Sequence, residues 1–169
     1  YGFKNFVVCL GYKGSMIKQY FLNYEAMNND FSIQLGNRTS IQYHNHNEAD
    51  WCVTLVDTGS EAQTGARVKK IESYIDGNIF MVTYGDGLSN VDINRLLEYH
   101  KSHGKIGTMT GVYPSSRFGE LVIKNGKVEV FSEKPQTTKG LINGGFFVFN
   151  RGIFDYLNDN DGCILERAA

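Results

Sequence analysis

Four short segments of this chain carry residue types that could do chemistry. The first is Phe80-Met81-Val82-Thr83-Tyr84-Gly85-Asp86-Gly87. An apolar, β-prone run ends in Gly-Asp-Gly, and a helix-like segment follows near Ser89 or Asn90. A buried parallel strand delivers one carboxylate to the carboxyl edge of an α/β sheet in this way, and ligands of such sheets bind at that edge. Gly85 and Gly87 let backbone approach a ligand closely. A lone Asp86 there suits a divalent cation that phosphates also hold. It equally suits a strand-end turn that needs only an Asp.

The second segment, Thr64-Gly65-Ala66-Arg67, opens a helix after the strand 51–56 and the turn Asp57-Thr58-Gly59. Free N–H groups and Arg67 would attract a phosphate or a pyrimidine base there. The plainer alternative is an ordinary helix cap with a solvated Arg. The third segment brackets a hairpin. Arg117-Phe118-Gly119-Glu120 enters it and Phe131-Ser132-Glu133-Lys134-Pro135 leaves it. Glu133 could accept from sugar hydroxyls and Lys134 could meet a phosphate, with Pro135 fixing the backbone. A surface ion pair before a turn, and a simple bend at Gly119, would leave the same letters. In the fourth segment, Asn143-Gly144-Gly145 interrupts the apolar strand 141–149. Two glycines in a strand mark a bulge or the close approach of a ligand.

Other chemistries lack their residues. The chain contains no G-x-G-x-x-G, no G-x-x-x-x-G-K-[ST] and no G-x-S-x-G. Asp159-Asn160-Asp161-Gly162 looks like part of a calcium loop, but Leu157 and Ala168 would occupy its first and last ligand positions, so an acidic surface turn is expected. His44 and His46 read as loop residues in preference to a metal pair. A metal-dependent glycosyltransferase would want Asp-x-Asp, and Leu88 stands two residues after Asp86.

The elements that must position these segments follow from pattern. Strands are expected at 6–10, 51–56, 79–84 and 105–112, with a short one at 41–43 inside an irregular polar stretch, 28–50. Helices alternate with them. Ser15 would cap one carrying Met16, Ile17, Tyr20 and Phe21. A second, 65–74, turns Val68, Ile71 and Tyr74 inward, and a third carries Ile93, Leu96 and Leu97 and ends at Gly104. This order predicts an α/β domain with a mostly parallel sheet. Asn125-Gly126, between 121–124 and 127–131, predicts an inserted β-hairpin. A strand at 142–149 and a short helix at 151–157 close the pattern.

With 169 residues, one domain spanning 1–169 is expected. The net charge of −1, from 17 basic and 18 acidic residues, speaks against nucleic acid or an anionic membrane as partner. Cys9, Cys52 and Cys163 have no metal or redox spacing, and no long apolar span is visible, so a cytoplasmic protein is expected. Tyr1 in place of Met, and a helix-compatible end without a stop signal, point to a piece truncated at both ends.

Tyr84-Gly85-Asp86-Gly87, Arg117-Phe118-Gly119, Glu133-Lys134-Pro135 and Ile142-Asn143-Gly144-Gly145-Phe146-Phe147 together resemble the sugar-1-phosphate nucleotidylyltransferases in order and spacing. Thr64-Gly65-Ala66-Arg67 and Val91-Asp92-Ile93 make the glucose-1-phosphate cytidylyltransferase subfamily the nearest likeness. The resemblance covers essentially the whole chain. It implies a Rossmann-like nucleotidyltransferase fold and the reaction CTP + α-D-glucose 1-phosphate → CDP-glucose + pyrophosphate, with Mg²⁺ as cofactor. It implies Asp86 as metal ligand and catalytic residue together with Lys134. Thr64, Gly65, Arg67, Tyr84 and Gly85 would contact the nucleotide, and Gly119, Glu133, Lys134, Asn143 and Gly144 the sugar phosphate. The family's glycine-rich loop with its Arg, its Lys-Pro segment and its second metal-binding Asp have no counterpart here. A half-site, inactive alone, is therefore expected, within a longer enzyme that forms a homo-oligomer and feeds cell-surface polysaccharide such as the lipopolysaccharide O antigen. Thymidylyl or uridylyl transfer, and a non-catalytic regulatory relative, are the competing readings.

Overall fold

The computed structural model describes residues 1–36, 39–44, 50–114, 119–133 and 140–167. Its contacts gather into two compact units, Tyr1–Asp76 with Phe154–Ala169, and Gly77–Ile153.

The first unit begins with Asn5–Leu10 (β1) and Gly14–Leu22 (α1). Ser15 does not cap α1. The cap position is Lys13, with φ 57° and no side-chain cap bond. The Gly14 N–H donates to the Gly11 carbonyl at 2.9 Å, so the turn's own backbone leads into the helix. A short helix, Tyr24–Asn28 (α2), follows. Asp30–Gln34 (β2) and Ser40–His44 (β3) then pair antiparallel, where sequence predicts an irregular stretch with 41–43 alone extended. The register puts Phe31 opposite Tyr43 and Ile33 opposite Ile41, one apolar face backed by the polar Ser32 and Gln42. The polar half of this period-2 alternation hides the strand in composition.

Cys52–Asp57 (β4) lies parallel to β1, from Asn5 opposite Cys52 to Leu10 opposite Asp57. Thr64–Lys70 (α3) is shorter than the helix expected over 65–74 and gives way to a 3-10 turn, Glu72–Tyr74. Val68 and Ile71 are buried as expected, whereas Tyr74 is 49% exposed. The Tyr74 N–H reaches only as far back as the Ile71 carbonyl, which tightens the last turn and swings Tyr74 outward. The core of this unit contains Leu10, Ala66, Val68, Ile71, Phe154 and Leu165.

The second unit contains Ile79–Thr83 (β5), Ile93–His103 (α4), Gly107–Val112 (β6), Glu120–Lys124 (β7), Lys127–Ser132 (β8) and Ile142–Asn150 (β9). The sheet order is β5-β9-β6, with β9 antiparallel to both neighbours. The α/β class stands and β1–β4 is parallel as expected, but the expectation of a mostly parallel sheet is corrected here, where both pairings are antiparallel. The reason lies in the connections. The α4 crossover leaves β5 and β6 parallel with a gap between them. The chain enters that gap after the β7–β8 hairpin and runs opposite to both neighbours. Phe80, Phe147, Val148 and Phe149 form the core.

Helix α4 starts at Ile93 and not near Ser89. Ser89 Oγ is taken by the Val91 N–H at 3.1 Å, and Asp92 Oδ1 accepts from the Arg95 N–H at 3.1 Å as the cap. The expected stripe of Ile93, Leu96 and Leu97 continues to the buried His100. At the hairpin tip, Asn125 (φ 51°) and Gly126 (φ 74°) both adopt the left-handed conformation that a two-residue turn demands.

Candidate active site

Asp86 sits in a turn immediately beyond β5, with its side chain exposed. A Cβ built on the adjacent Gly85 would meet no atom within 4 Å, so the surroundings of this carboxylate are open. Tyr84, two residues earlier, is instead held closely by β9. Its N–H donates to the Gly145 carbonyl at 3.2 Å, and its ring lies edge-on to Phe147 with centroids 5.7 Å apart. Its phenol oxygen accepts a 2.9 Å hydrogen bond from Asn143 Nδ2.

The Asn143-Gly144-Gly145 run forms a bulge, one of the two features that its glycines predict. Asn143 pairs with Gly111 and Phe147 with Met109, so residues 144–146 of β9 face residue 110 alone. Both glycines are required sterically. A Cβ on Gly144 would lie 2.8 Å from Thr110 Oγ1, and one on Gly145 would lie 2.8 Å from Tyr84 Cδ2. Gly145 also has φ 77°, a conformation that side chains rarely adopt. Asn143 Oδ1 accepts from the Gly145 N–H at 2.8 Å, which folds the side chain back over the bulge.

At the open end of the β7–β8 hairpin, Glu120 pairs with Ser132, so Gly119 and Glu133 face each other one step beyond the ladder. A Cβ on Gly119 would lie 2.6 Å from the Phe131 ring and 3.1 Å from Glu133 Oε2. The missing side chain at 119 thus leaves the Glu133 carboxylate its place. Lys134, Arg117, Phe118, Pro135 and His46 lie outside the described residues. His44 is not in a loop but at the end of β3, with its Nε2 3.0 Å from Ser32 Oγ.

Thr64, Gly65 and Arg67 belong to the first unit, where α3 is tied to the segment 161–166. Thr64 Oγ1 accepts from the Leu165 N–H at 3.0 Å and donates to Glu166 Oε2 at 2.9 Å. The N–H groups at the helix start were expected to be free. Two of them are engaged: Gln63 donates to the Asp161 carbonyl at 2.8 Å and Ala66 to the Cys163 carbonyl at 3.0 Å. Arg67 is half-buried. Its Nη1 donates to the Leu10 carbonyl at 3.1 Å and to Thr58 Oγ1 at 2.7 Å, and its Nη2 donates to the Ser60 carbonyl at 3.4 Å. Asp161 joins the same frame through Lys70 at 2.6 Å, which makes 159–162 a pinned surface turn.

Residues 2–163 match the family model described as nucleotidyl transferase. The chain belongs to the nucleotidyl transferase family. This nucleotidyl transferase chain is 42% identical over 168 residues to proteins named glucose-1-phosphate cytidylyltransferase from Salmonella typhimurium and from Salmonella typhi. The match covers 99% of the chain and spans 65% of the length of each relative. Among solved structures, HddC from Yersinia pseudotuberculosis shares the fold, with TM-score 0.58 and 22% identity over 94% of this chain and 61% of that one.

The resemblance implies Tyr84 at the nucleotide and Asn143 at the sugar phosphate. Sequence reasoning missed that the two are bonded to each other. It also missed His100, whose Nδ1 lies 2.8 Å from Thr108 Oγ1 in the core. The i, i+3, i+4, i+7 spacing from Ile93 was the available signal for His100. None existed for the Tyr84–Asn143 pair, which lies 59 residues apart in sequence.

Proposed function

We propose that the full-length protein transfers CMP from CTP to α-D-glucose 1-phosphate, releasing pyrophosphate and forming CDP-glucose. The observation that carries this reading is the 42% identity to two glucose-1-phosphate cytidylyltransferases, spread over 99% of the chain. The local geometry supports it. Phosphoryl-group transfer of this kind needs positioning and electrostatics and no protein nucleophile.

A sugar-phosphate oxygen attacks the α-phosphorus of CTP in line as the bond to the pyrophosphate oxygen breaks. Glu133, given room by Gly119, accepts from sugar hydroxyls, and Asn143 on the β9 bulge donates to the sugar phosphate. Lys134 supplies the cation for that phosphate. Asp86 holds one side of a Mg²⁺ site. Its single exposed carboxylate and open surroundings fit an ion that keeps water and phosphate oxygens as its other ligands. Bound there, Mg²⁺ supplies neutralisation of the triphosphate charge.

Among the described residues no helix is long and apolar enough to cross a membrane, and the cysteines are free. As the likeness to the glucose-1-phosphate cytidylyltransferases implies, the proposed enzyme works in the cytoplasm as a homo-oligomer and supplies deoxysugar precursors for cell-surface polysaccharide, including O antigen. A pyrophosphate-release assay with CTP, UTP, dTTP and ATP tests the substrate assignment. CTP should be turned over fastest with glucose 1-phosphate, and equal or faster turnover of dTTP would overturn it.

A further inference from the structure

We propose that Tyr84 is a positioning residue for the sugar phosphate and not a nucleotide contact: its phenol aims the Asn143 amide. The inference rests on the reading above, in which Asn143 faces the sugar phosphate. The Gly145 N–H can only donate, so the Asn143 atom 2.8 Å from it is the amide oxygen. That sets the amide orientation, and the atom 2.9 Å from Tyr84 Oη is therefore Nδ2, a donor. The side chain is thus gripped at both ends, by the bulge backbone at Oδ1 and by the phenol at Nδ2. Its second amide hydrogen is engaged by none of the described residues and leaves the pair in a fixed direction.

Tyr84 is in turn too constrained to follow a nucleotide. Its Cδ2 occupies the space that a Cβ on Gly145 would need, at 2.8 Å, and its ring packs edge-on against Phe147. Asp86 follows two residues later, so one short segment serves both substrates: Tyr84 through the β9 bulge, Asp86 through its own carboxylate. Bulges commonly re-aim a side chain in this manner beside active sites.

The test uses the full-length enzyme with Tyr84→Phe, Asn143→Ala and the double variant, measuring KM for glucose 1-phosphate and for CTP separately. Tyr84→Phe keeps the ring against Gly145 and Phe147 and removes the hydroxyl that accepts from Asn143. It should raise the glucose 1-phosphate KM by about three- to tenfold, the loss of one hydrogen bond. KM for CTP should stay unchanged. Asn143→Ala should raise the same KM at least as much, and the double variant should be no worse than Asn143→Ala, because Tyr84 acts through Asn143. Asn143→Asp keeps an acceptor for Gly145 and loses the donor; it should reproduce the effect and covers the case in which Tyr84→Phe fails to fold. A rise in the CTP KM, full additivity in the double variant, or a silent Tyr84→Phe beside an impaired Asn143→Ala would each overturn the inference while leaving the proposed reaction standing. A silent Asn143→Ala would overturn both the inference and the sugar-site reading beneath it.

Discussion

Gly65 lies so close to Cys163 that a Cβ on it would come within 2.8 Å of the cysteine sulfur, and within 2.9 Å of the Leu165 nitrogen. The glycine is therefore a packing requirement of α3 against 161–166. Gly119 is crowded too, but by the side chain of Phe131, which is 62% exposed and free to swing aside.

Alanine substitutions should separate the two glycines. Gly65→Ala meets backbone as well as sulfur and should destabilise by about 1–3 kcal/mol, the usual effect of overpacking. Gly119→Ala should leave the thermal midpoint within a degree or so of wild type, yet push Phe131 and Glu133 apart and raise the glucose 1-phosphate KM, as Glu133→Ala should. Thermal unfolding beside steady-state kinetics decides; equal stability loss at both positions would contradict the distinction.

Arg67→Lys keeps a positive charge but loses the fork that reaches Leu10, Thr58 and Ser60 together. Loss of charge-assisted bonds to half-buried acceptors should lower stability by roughly 1.5–3 kcal/mol. Urea unfolding of the full-length protein measures this, and an unchanged midpoint would show that Arg67 is not a tie between the ends of β1 and β4.

Asp86→Asn should leave the fold intact, because the side chain is exposed in a turn. It should lower kcat on the order of 10²-fold or more, as removal of a transition-state electrostatic contact does. Turnover within a few-fold of wild type at saturating Mg²⁺ would remove the metal role from this residue.

Burial pushes the Cys9 thiol above its ordinary value, opposed by a smaller pull from the Arg67 charge. The folded state therefore holds this proton longer than the unfolded chain does. The associated stability is complete below the ordinary thiol range of about 8.5 and is lost as pH rises toward the raised folded value. Cys9→Ala should flatten the alkaline part of the stability profile. In alkylation at mildly alkaline pH, the exposed Cys52 should react well before Cys9; the reverse order would refute the burial argument.

Local chemistry made much of the molecule legible in advance. Asn125-Gly126 could specify a tight hairpin because both residues tolerate the left-handed conformation, and Gly144-Gly145 signalled a bulge or a close ligand approach because glycine otherwise weakens a strand. Asp86 could be placed beyond the end of β5 because an apolar run stops there. Boundaries were less visible. Ser15, Ser89 and Asn90 are all plausible caps in isolation, and only the competing bonds of Gly11 and Val91, together with the better-placed Asp92, decided among them.

The sequence by itself therefore determined the α/β class, the hairpin and the family motifs, since each depends on residues within one turn or one strand. The tertiary structure alone decided that β9 runs antiparallel between β5 and β6, because strand direction depends on which edge is open when the chain returns. It alone decided that Thr64 and Gly65 are bound up with 161–166, and that Tyr84 grips Asn143. Those are meetings of groups dozens of residues apart, and no local propensity encodes them.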